Sequence, residues 1–253
     1  MHLACSTRCF ATLDLSEAFR KMREMGFSKV DLALLDGGPH PSPGDVAEDA
    51  ASVAQYLRAS NMTFCAFHLG LEEGVSVSDG VDLVRAVGRL ARLLAAPVVT
   101  LKPTGTGDLH DEAKRLTAFA LAAGTEGVTL CVETCAGTLT DDPDTAAELC
   151  RRVPDLGIAY DPGQLLRGDH ADAAVEPMYP FVRHVRVRDT GSSPEQSQTR
   201  VGQGNVEFGR ITSSLERAGY SRAITIDMHD DPNCGFPVAP EVRKLKYLVE
   251  SMI

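Results

Sequence analysis

Short apolar runs alternate with longer amphipathic stretches along the whole chain. Runs such as VDLAL, TFCAF, TLCVE and ITIDM have the length and the β-branched content of buried strands. In the longer stretches apolar residues recur every three or four positions, which is the period of a helix that buries one face. The alternation therefore predicts βα units around a parallel sheet.

Eight runs qualify as strands, and eight parallel strands can close into a barrel. The predicted strands cover residues 3–5, 30–34, 63–67, 98–101, 129–133, 157–161, 182–188 and 223–228. The predicted helices cover residues 16–25, 45–60, 81–94, 112–123, 143–152, 208–218 and 241–251, with a weaker helical turn at 171–176. Gly26, Gly124 and Gly219 stand where helix C-caps are expected.

We predict an α/β protein, a single (β/α)8 barrel domain over residues 1–253, because that length is typical of the fold. An open doubly wound sheet is the alternative, but its Gly-rich phosphate fingerprint is absent after the first predicted strand. Long polar segments follow the strands: GGPHPSPGD after the second, PTGTGD after the fourth and residues 190–204 after the seventh. In a (β/α)8 barrel such segments form the rim of the active site.

The composition argues against several classes of function. The formal net charge of −10 opposes non-specific binding to nucleic acid, which depends on Lys and Arg side chains that neutralise phosphates. No apolar run approaches a membrane span, and MHLACSTRCF lacks the apolar centre of a signal peptide. Seven cysteines without a CxxC pair favour reduced, buried thiols. We expect a cytoplasmic protein without nucleic-acid or membrane partners, and the sequence leaves open whether it forms a homo-oligomer.

Ionisable side chains gather at the predicted carboxyl ends of the strands, where side chains two positions apart share a face. The residues on the inward face there are His68, Lys102, Glu133, Asp161, Arg186, Arg188, Asp227 and His229. A charge buried alone costs many kcal/mol, so such a cluster must be paired, hydrated or bound to a metal. The cluster predicts an active site at this end of the barrel.

Two interpretations of these residues stay open. Glu133 and Asp161 either act on a substrate or form structural ion pairs with Lys102 and Arg186. His68 closes the strand FCAFH and is either a substrate contact or a hydrogen-bonded structural histidine.

Seven segments distributed over almost the whole chain are informative through their order and spacing. They are VDLAL, FHLG, CVETCAGTLTDDPDTAAEL, IAYDPGQLL, VRHVRVRDT, VGQGNVEFGRI and ITIDMH. Their order and spacing resemble the xylose-isomerase-like superfamily of sugar-phosphate isomerases and epimerases. That superfamily includes ketose 3-epimerases, hydroxypyruvate isomerases, two kinds of dehydratase and an abasic-site endonuclease branch. The resemblance implies a barrel that binds a divalent metal at its carboxyl-terminal mouth.

The resemblance implies four metal ligands, one each from strands five to eight. Glu133 and Asp161 match the first two, Arg186 stands at the position of the usual histidine, and Asp227 stands at that of the usual glutamate. Gln164 replaces a histidine that contacts the substrate or a second metal. Arginine has no lone pair for a metal and repels cations, so we expect Arg186 within salt-bridge reach of Glu133 or Asp161. A Mn²⁺ or Mg²⁺ ion held by Glu133, Asp161 and Asp227 stays an open expectation.

The activity that the resemblance implies is isomerisation or epimerisation of a sugar or sugar phosphate. Glu133 and Asp227 would exchange a carbon-bound proton through an enediolate, and a metal or the cations of Lys102 and Arg186 would stabilise the oxyanion. The residues expected to contact the substrate are His68, Lys102, Gln164, Arg186, Arg188 and Arg200.

Two other functions stay open. A dehydratase or lyase acting on a polyol or keto-acid would use the same proton abstraction and expel a β-hydroxyl group. A barrel without catalysis would act as a binding or partner subunit. The replaced ligand positions favour this alternative, and it is disfavoured by the residues retained in one mouth, which are His68, Lys102, Glu133 and Asp161. An endonuclease is disfavoured by the negative charge and by the lack of histidines for a multinuclear metal site.

Overall fold

The computed structural model describes residues 1–72, 74–105, 107–193, 195–232 and 234–253. In these residues, eight parallel strands form a closed barrel in chain order, and β8 pairs with β1 through Leu3 and Ile224. The strands are β1 His2–Ser6, β2 Lys29–Leu34, β3 Thr63–Leu69, β4 Val98–Leu101, β5 Thr129–Glu133, β6 Gly157–Tyr160, β7 Val182–Val187 and β8 Ala223–Ile226. The closed barrel confirms the predicted fold.

A helix follows each strand of the barrel. The helices are α1 Leu15–Glu24, α2 Pro43–Arg58, α3 Val77–Leu93, α4 Leu109–Thr125, α5 Pro143–Arg152, α6 Pro162–Leu165, α7 Phe208–Arg217 and α8 Val238–Glu250. Local sequence sets several of their first turns, as in α2, where Ser42 and Asp45 form a reciprocal capping box. No helix among the described residues is both long enough and apolar enough to cross a membrane.

The predicted C-cap glycines are correct at two positions of three. Gly26 and Gly219 follow α1 and α7 with φ values of +80° and +76°, which favour glycine. Gly124 instead lies inside α4, and Gly127, with φ of +75°, stands just beyond the end of that helix. The prediction at 124 was wrong because the helix continues for one more residue, to Thr125.

The sixth helix is a single turn that begins directly after β6, and the helical turn predicted at 171–176 was wrong. Asp161 caps this turn by accepting a hydrogen bond from the backbone N–H of Gln164 at 3.2 Å, and Pro162 occupies the first helical position. A Cβ atom at Gly163 would lie 2.7 Å from Cγ2 of Thr190, so the close contact with the loop after β7 requires glycine. The DPGQ sequence thus ends the strand and holds the Asp161 side chain at the barrel mouth.

The barrel interior has two layers of different chemistry. The lower layer is small and apolar, and it consists of Ala4, Cys65, Ala66, Val98, Cys131, Ala159 and Ala223. The upper layer, towards the carboxyl ends of the strands, carries charged side chains. Most of the remaining buried apolar side chains pack between the strands and the surrounding helices. The interior therefore directs charge to the end of the barrel where (β/α)8 enzymes hold their active sites.

Candidate active site at the barrel mouth

Charged and polar side chains from all eight strands, or from the residues directly after them, meet in the upper barrel. Hydrogen bonds between non-neighbouring strands show that these side chains cross the interior: Asp31 on β2 bonds His184 and Arg186 on β7. We call the group the mouth cluster, and it consists of Arg8, Asp31, His68, Thr100, Glu133, Asp161, His184, Arg186, Arg188 and Asp227. Burial of so many charges requires each to be paired.

Arg186 is the buried centre of one part of the mouth cluster. Its Nε and Nη2 donate to the Asp31 carboxylate at 2.7 and 3.1 Å, and Nη2 also donates to Oγ1 of Thr100 at 2.8 Å. Its Nη1 donates to Oε1 of Glu133. Every guanidinium nitrogen therefore has a protein partner, and the residue is only 2% exposed. The structure places Arg186 within reach of Glu133, as the sequence predicts, but contradicts the expectation that it clamps the substrate.

Glu133 uses its two carboxylate oxygens differently. Oε1 accepts hydrogen bonds from Arg186, from Oγ1 of Thr100 at 3.0 Å and from Nδ1 of His68 at 2.6 Å. Oε2 has no partner in the described part of the chain. Burial alone would raise the pKa of Glu133, but the adjacent His68 and Arg186 hold this pKa well below its usual range. Glu133 is therefore an ionised carboxylate with one oxygen available at the mouth.

His68 orients Glu133 rather than carrying charge. Burial lowers the pKa of His68 despite the neighbouring Glu133, so the ring is neutral at pH 7. The short contact of Nδ1 with a carboxylate assigns the ring proton to Nδ1. The 3.4 Å approach of Nη1 of Arg186 to Nδ1 then joins two donors and is not a hydrogen bond.

Arg8 and Asp227 form a second pair across the β1 and β8 ends. Nε of Arg8 donates to Oδ1 of Asp227 at 3.0 Å, and Nη2 of Arg8 donates to Oδ2. Burial alone would raise the pKa of Asp227, but Arg8 and His229 hold this pKa well below its usual range. Asp227 is fully buried, with both oxygens on Arg8. The expected proton exchange between Asp227 and a substrate is therefore not supported by this arrangement.

His229 stands beside this pair. Its Nε2 is buried, lies 3.8 Å from Oδ2 of Asp227 and has no hydrogen-bond partner among the described residues, while part of the ring reaches solvent. Burial and the charge of Arg8 lower the pKa of His229 to about 4. The ring is neutral at pH 7.

Arg188 and Asp161 form the third pair. Nη1 of Arg188 donates to Oδ2 of Asp161 at 2.7 Å, and Nε of Arg188 donates to the carbonyl of Ser197 at 3.0 Å. The side-chain carbonyl of Gln164 accepts from the backbone of Ala136 at 3.3 Å and from Arg167 at 3.0 Å. Gln164 thus links the loop after β5 to the segment after β6. Arg188 is only 1% exposed, so its ion pair with Asp161 lies inside the protein rather than at a surface that a substrate could contact.

Besides Gln164, two of the residues expected to bind substrate lie outside the mouth cluster, Lys102 and Arg200. Lys102 is exposed just beyond β4. Arg200 is 43% exposed, lies 3.6 Å from Oε1 of Glu241 on α8 and stacks over the ring of Phe236 at 5.1 Å. Both can reach a substrate only from the rim.

The mouth cluster does not fit a resident divalent cation. The three expected ligands, Glu133, Asp161 and Asp227, each contact a guanidinium group. No group of three His, Cys, Asp or Glu side chains that could hold a metal is present in the described residues. A guanidinium offers no lone pair and repels a cation. In this arrangement the residues expected to hold Mn²⁺ or Mg²⁺ are paired with arginines, which carry the positive charge at the mouth.

Four members of the mouth cluster were not selected as site residues from the sequence: Arg8, Asp31, Thr100 and His184. Asp31 and Thr100 lie within apolar strands, where a polar residue must find a buried partner. The alternation that selected the other residues also applies to these strands and could have found Asp31 and Thr100. Arg8 lies in the 3-10 turn Thr7–Phe10 directly after β1, where strand alternation no longer applies.

Comparisons with known proteins identify the class of this barrel. The chain belongs to the xylose isomerase-like TIM barrel family, whose model matches residues 19–250. This confirms the resemblance seen in the sequence. No curated protein is significantly similar to the chain in sequence.

Solved structures of low sequence identity share the fold over their whole length. A D-allulose 3-epimerase from Methylomonas sp. in complex with D-allulose has a TM-score of 0.79 at 14% identity, covering 100% of this chain and 97% of that chain. A probable 3-DHS dehydratase from Bacillus anthracis has a TM-score of 0.73 at 14% identity, covering 97% and 99%. A xylose isomerase-like protein from Mycobacterium smegmatis in complex with magnesium has a TM-score of 0.75 at 16% identity, covering 100% and 98%.

Proposed function

We propose that the protein is a sugar or sugar-phosphate isomerase or epimerase that moves a carbon-bound proton through an enediolate. The observation that carries the proposal is Glu133: it is ionised, three donors hold Oε1, and Oε2 is available at the mouth. The family and its sugar epimerase relatives support this class of reaction.

In the proposed step, Oε2 of Glu133 takes the proton from a carbon next to a carbonyl group. The C–H bonding pair forms a carbon–carbon double bond, and the carbonyl oxygen becomes an oxyanion. For isomerisation, the hydroxyl proton on the deprotonated carbon moves to this oxyanion, Glu133 returns its proton to the former carbonyl carbon, and the new carbonyl forms where the first proton was lost. For epimerisation, water protonates the opposite face of the same carbon, and Glu133 releases its proton to water. The arginine contact that lowers the pKa of Glu133 also makes it a weak base. The reaction therefore needs strong stabilisation of the oxyanion.

The positive charge in this proposal comes from the protein rather than from Mn²⁺ or Mg²⁺. Asp161 and Asp227 act as partners that hold Arg188 and Arg8, instead of as metal ligands. Lys102 and Arg200 at the rim are candidates for holding the phosphate of a phosphorylated substrate.

A dehydratase or lyase acting on a carboxylate-bearing polyol or keto-acid is the second candidate. It is favoured by Arg8, the most exposed of the mouth arginines, since a guanidinium group binds carboxylates well, and by the dehydratase among the solved structures. Product analysis separates the two candidates, because only a dehydratase releases water.

The test is a screen of ketoses, their phosphates and sugar acids with the parent protein and Glu133→Gln. Gln can still accept from Arg186, so we expect an intact fold and a loss of turnover of about 100-fold or more. Glu126→Gln is the matched control, because Glu126 is also largely buried and paired with Arg89 and Arg92 but lies outside the barrel. Equal turnover by the parent and Glu133→Gln removes Glu133 from the mechanism, and no turnover of any compound favours a binding subunit.

A further inference from the structure

We propose that Arg8 is a catalytic residue whose Nη1 donates a hydrogen bond to the substrate oxygen that becomes negatively charged, the task that a divalent cation performs in metal-dependent barrels. The inference rests on the proposed function and adds the electrophile that Glu133 requires. The ligand class it implies is an α-hydroxycarbonyl compound that passes through a planar, oxygen-rich anion.

The geometry of the Arg8 side chain leaves one nitrogen for a ligand. Nε and Nη2 bind the two oxygens of Asp227, and Nη1 has no partner among the described residues. The Arg8 side chain is 14% exposed, compared with 3% for Arg186 and 1% for Arg188. Of the three mouth arginines, Arg8 is the one that a substrate can reach.

The position of Arg8 is central in the mouth. Burial is the largest influence on the pKa values of Glu133, His68 and His229, and the positive charge of Arg8 lowers all three. These residues lie on β5, on β3 and in the loop after β8, respectively. Arg8 therefore lies close to side chains on both sides of the opening. In the proposed step, the substrate carbon lies against Oε2 of Glu133 and the carbonyl oxygen points towards Nη1 of Arg8.

Neither of the other arginines is as accessible for this role, because the side chains of Arg186 and Arg188 are only 3% and 1% exposed. The three guanidinium nitrogens of Arg186 all have partners, and Arg188 is held by Asp161 and by the carbonyl of Ser197. Release of either arginine would leave a buried carboxylate without its partner, which destabilises the fold.

The chemistry balances without another reactant. The substrate proton moves to Oε2 of Glu133, the electron pair of the C–H bond moves into the new double bond, and the carbonyl pair moves to oxygen. Arg8 donates a hydrogen bond but keeps its protons, because Asp227 raises the pKa of the guanidinium against the effect of burial. Asp227 is then a positioning residue: its two bonds to Arg8 fix the plane of the guanidinium and turn Nη1 away from the carboxylate.

The first arm of the test measures binding and does not depend on turnover. Oxalate, a planar dianion with neighbouring oxygens, is titrated calorimetrically into Glu133→Gln, which imitates the protonated Glu133 that faces the intermediate. We expect binding, and we expect Arg8→Gln in that background to weaken it at least about tenfold, since one charge-assisted hydrogen bond is lost. Arg20→Gln in the same background is the control, because Arg20 lies exposed on α1 with its own glutamate partners.

Arg8→Gln leaves Asp227 without its partner and could unfold the protein, so the binding test includes a second variant. Arg8→Gln with Asp227→Asn removes both charges of the pair, and we expect it to fold and still to lose oxalate binding. Oxalate binding that is equal with and without Arg8, or absent from Glu133→Gln itself, overturns the proposal.

The second arm measures turnover with Glu133 intact. If the parent converts any compound of the screen, Arg8→Gln should lower kcat about 100-fold with a smaller change in KM, and Arg8→Lys should recover part of kcat. An unchanged kcat in Arg8→Gln overturns the assignment. Arg8-dependent oxalate binding without turnover of any compound supports Arg8 as an anion-binding residue and contradicts the proposed function instead.

Discussion

At position 186 an arginine stands where the resemblance implies a histidine ligand, and its guanidinium bonds Asp31, Thr100 and Glu133. A histidine there would offer a nitrogen lone pair to a metal. The arginine instead brings a fixed charge and five donors, which satisfy two carboxylates that would otherwise be unpaired. One residue thus accounts for much of the difference between a cation site and the present mouth cluster.

The first prediction at this scale concerns Arg186→His and manganese. The variant removes a repelling charge next to Glu133 and restores a nitrogen donor, so we expect at least a tenfold gain in Mn²⁺ affinity. Removal of a unit charge at about 4 Å is worth several kcal/mol at an effective dielectric constant of 20. Calorimetric titration of both proteins measures the change, with Arg183→His near the start of β7 as the control. Tight binding by the parent without improvement in the variant would contradict the prediction.

At the scale of elements, the segment between β7 and α7 is organised by one carboxylate. Asp189 accepts hydrogen bonds from the backbone of Gly202 at 2.8 Å and of Gly204 at 3.1 Å, and its own carbonyl accepts from Thr199 at 2.8 Å. A Cβ atom at Gly204 would collide with the Asp189 carboxylate. The GQGN sequence therefore has a structural role, because its backbone folds closely around the Asp189 carboxylate. These hydrogen bonds hold the loop whose Ser197 carbonyl accepts a hydrogen bond from Arg188.

We predict that Asp189→Ala lowers the free energy of unfolding by about 2–4 kcal/mol, because two backbone donors lose a buried, charged acceptor. Urea unfolding should show a lower midpoint with little change in the slope. Asp36→Ala is the matched control, since Asp36 is exposed in the loop after β2 and should change the free energy by less than about 0.5 kcal/mol. A midpoint for Asp189→Ala equal to that of the control would show that the loop holds without the carboxylate.

At the scale of the whole molecule, buried ionisable groups make stability depend on pH. Burial lowers the pKa of His68 and of His229 in the folded protein, so between about pH 6.5 and these values the unfolded chain binds more protons. Stability therefore falls as pH drops through this range. The pKa values of Asp31, Glu133 and Asp227 are also lowered, against the effect of burial, so the stability from these carboxylates is present above about pH 4 and is lost below it.

We predict that Tm falls between pH 7.5 and pH 5.0 and falls further below pH 4.5. His68→Asn should reduce the drop between pH 7.5 and 5.0, because the amide can still donate to Glu133 but does not titrate. His110→Asn, at an exposed position on α4, should leave the drop unchanged. Calorimetric scans at matched ionic strength measure these values, and a Tm that is constant or rises on acidification would refute the assignment of His68 and His229 as neutral imidazoles at pH 7.

The sequence by itself determined the barrel and the ends of its strands. Strand and helix periods, the capping box at Ser42 and the DPGQ turn are local, and they can be recognised without knowledge of distant residues. Alternation along each strand was also enough to select Glu133, Asp161 and Arg186 for one end of the barrel. The predicted strand bounds differ from the structure by at most two residues at either end.

Only the tertiary structure decided which charge pairs with which. Arg186 meets Asp31 across 155 positions of sequence, and Arg8 meets Asp227 across 219. Which of these side chains meet inside the barrel depends on how the barrel closes, on its width and on the length of each side chain. No local sequence pattern determines these properties. For the same reason the sequence left a metal site open. The closed barrel places a guanidinium group beside each expected ligand. A buried carboxylate is stable only when an opposite charge or hydrogen-bond donors satisfy it, and here the arginines do so.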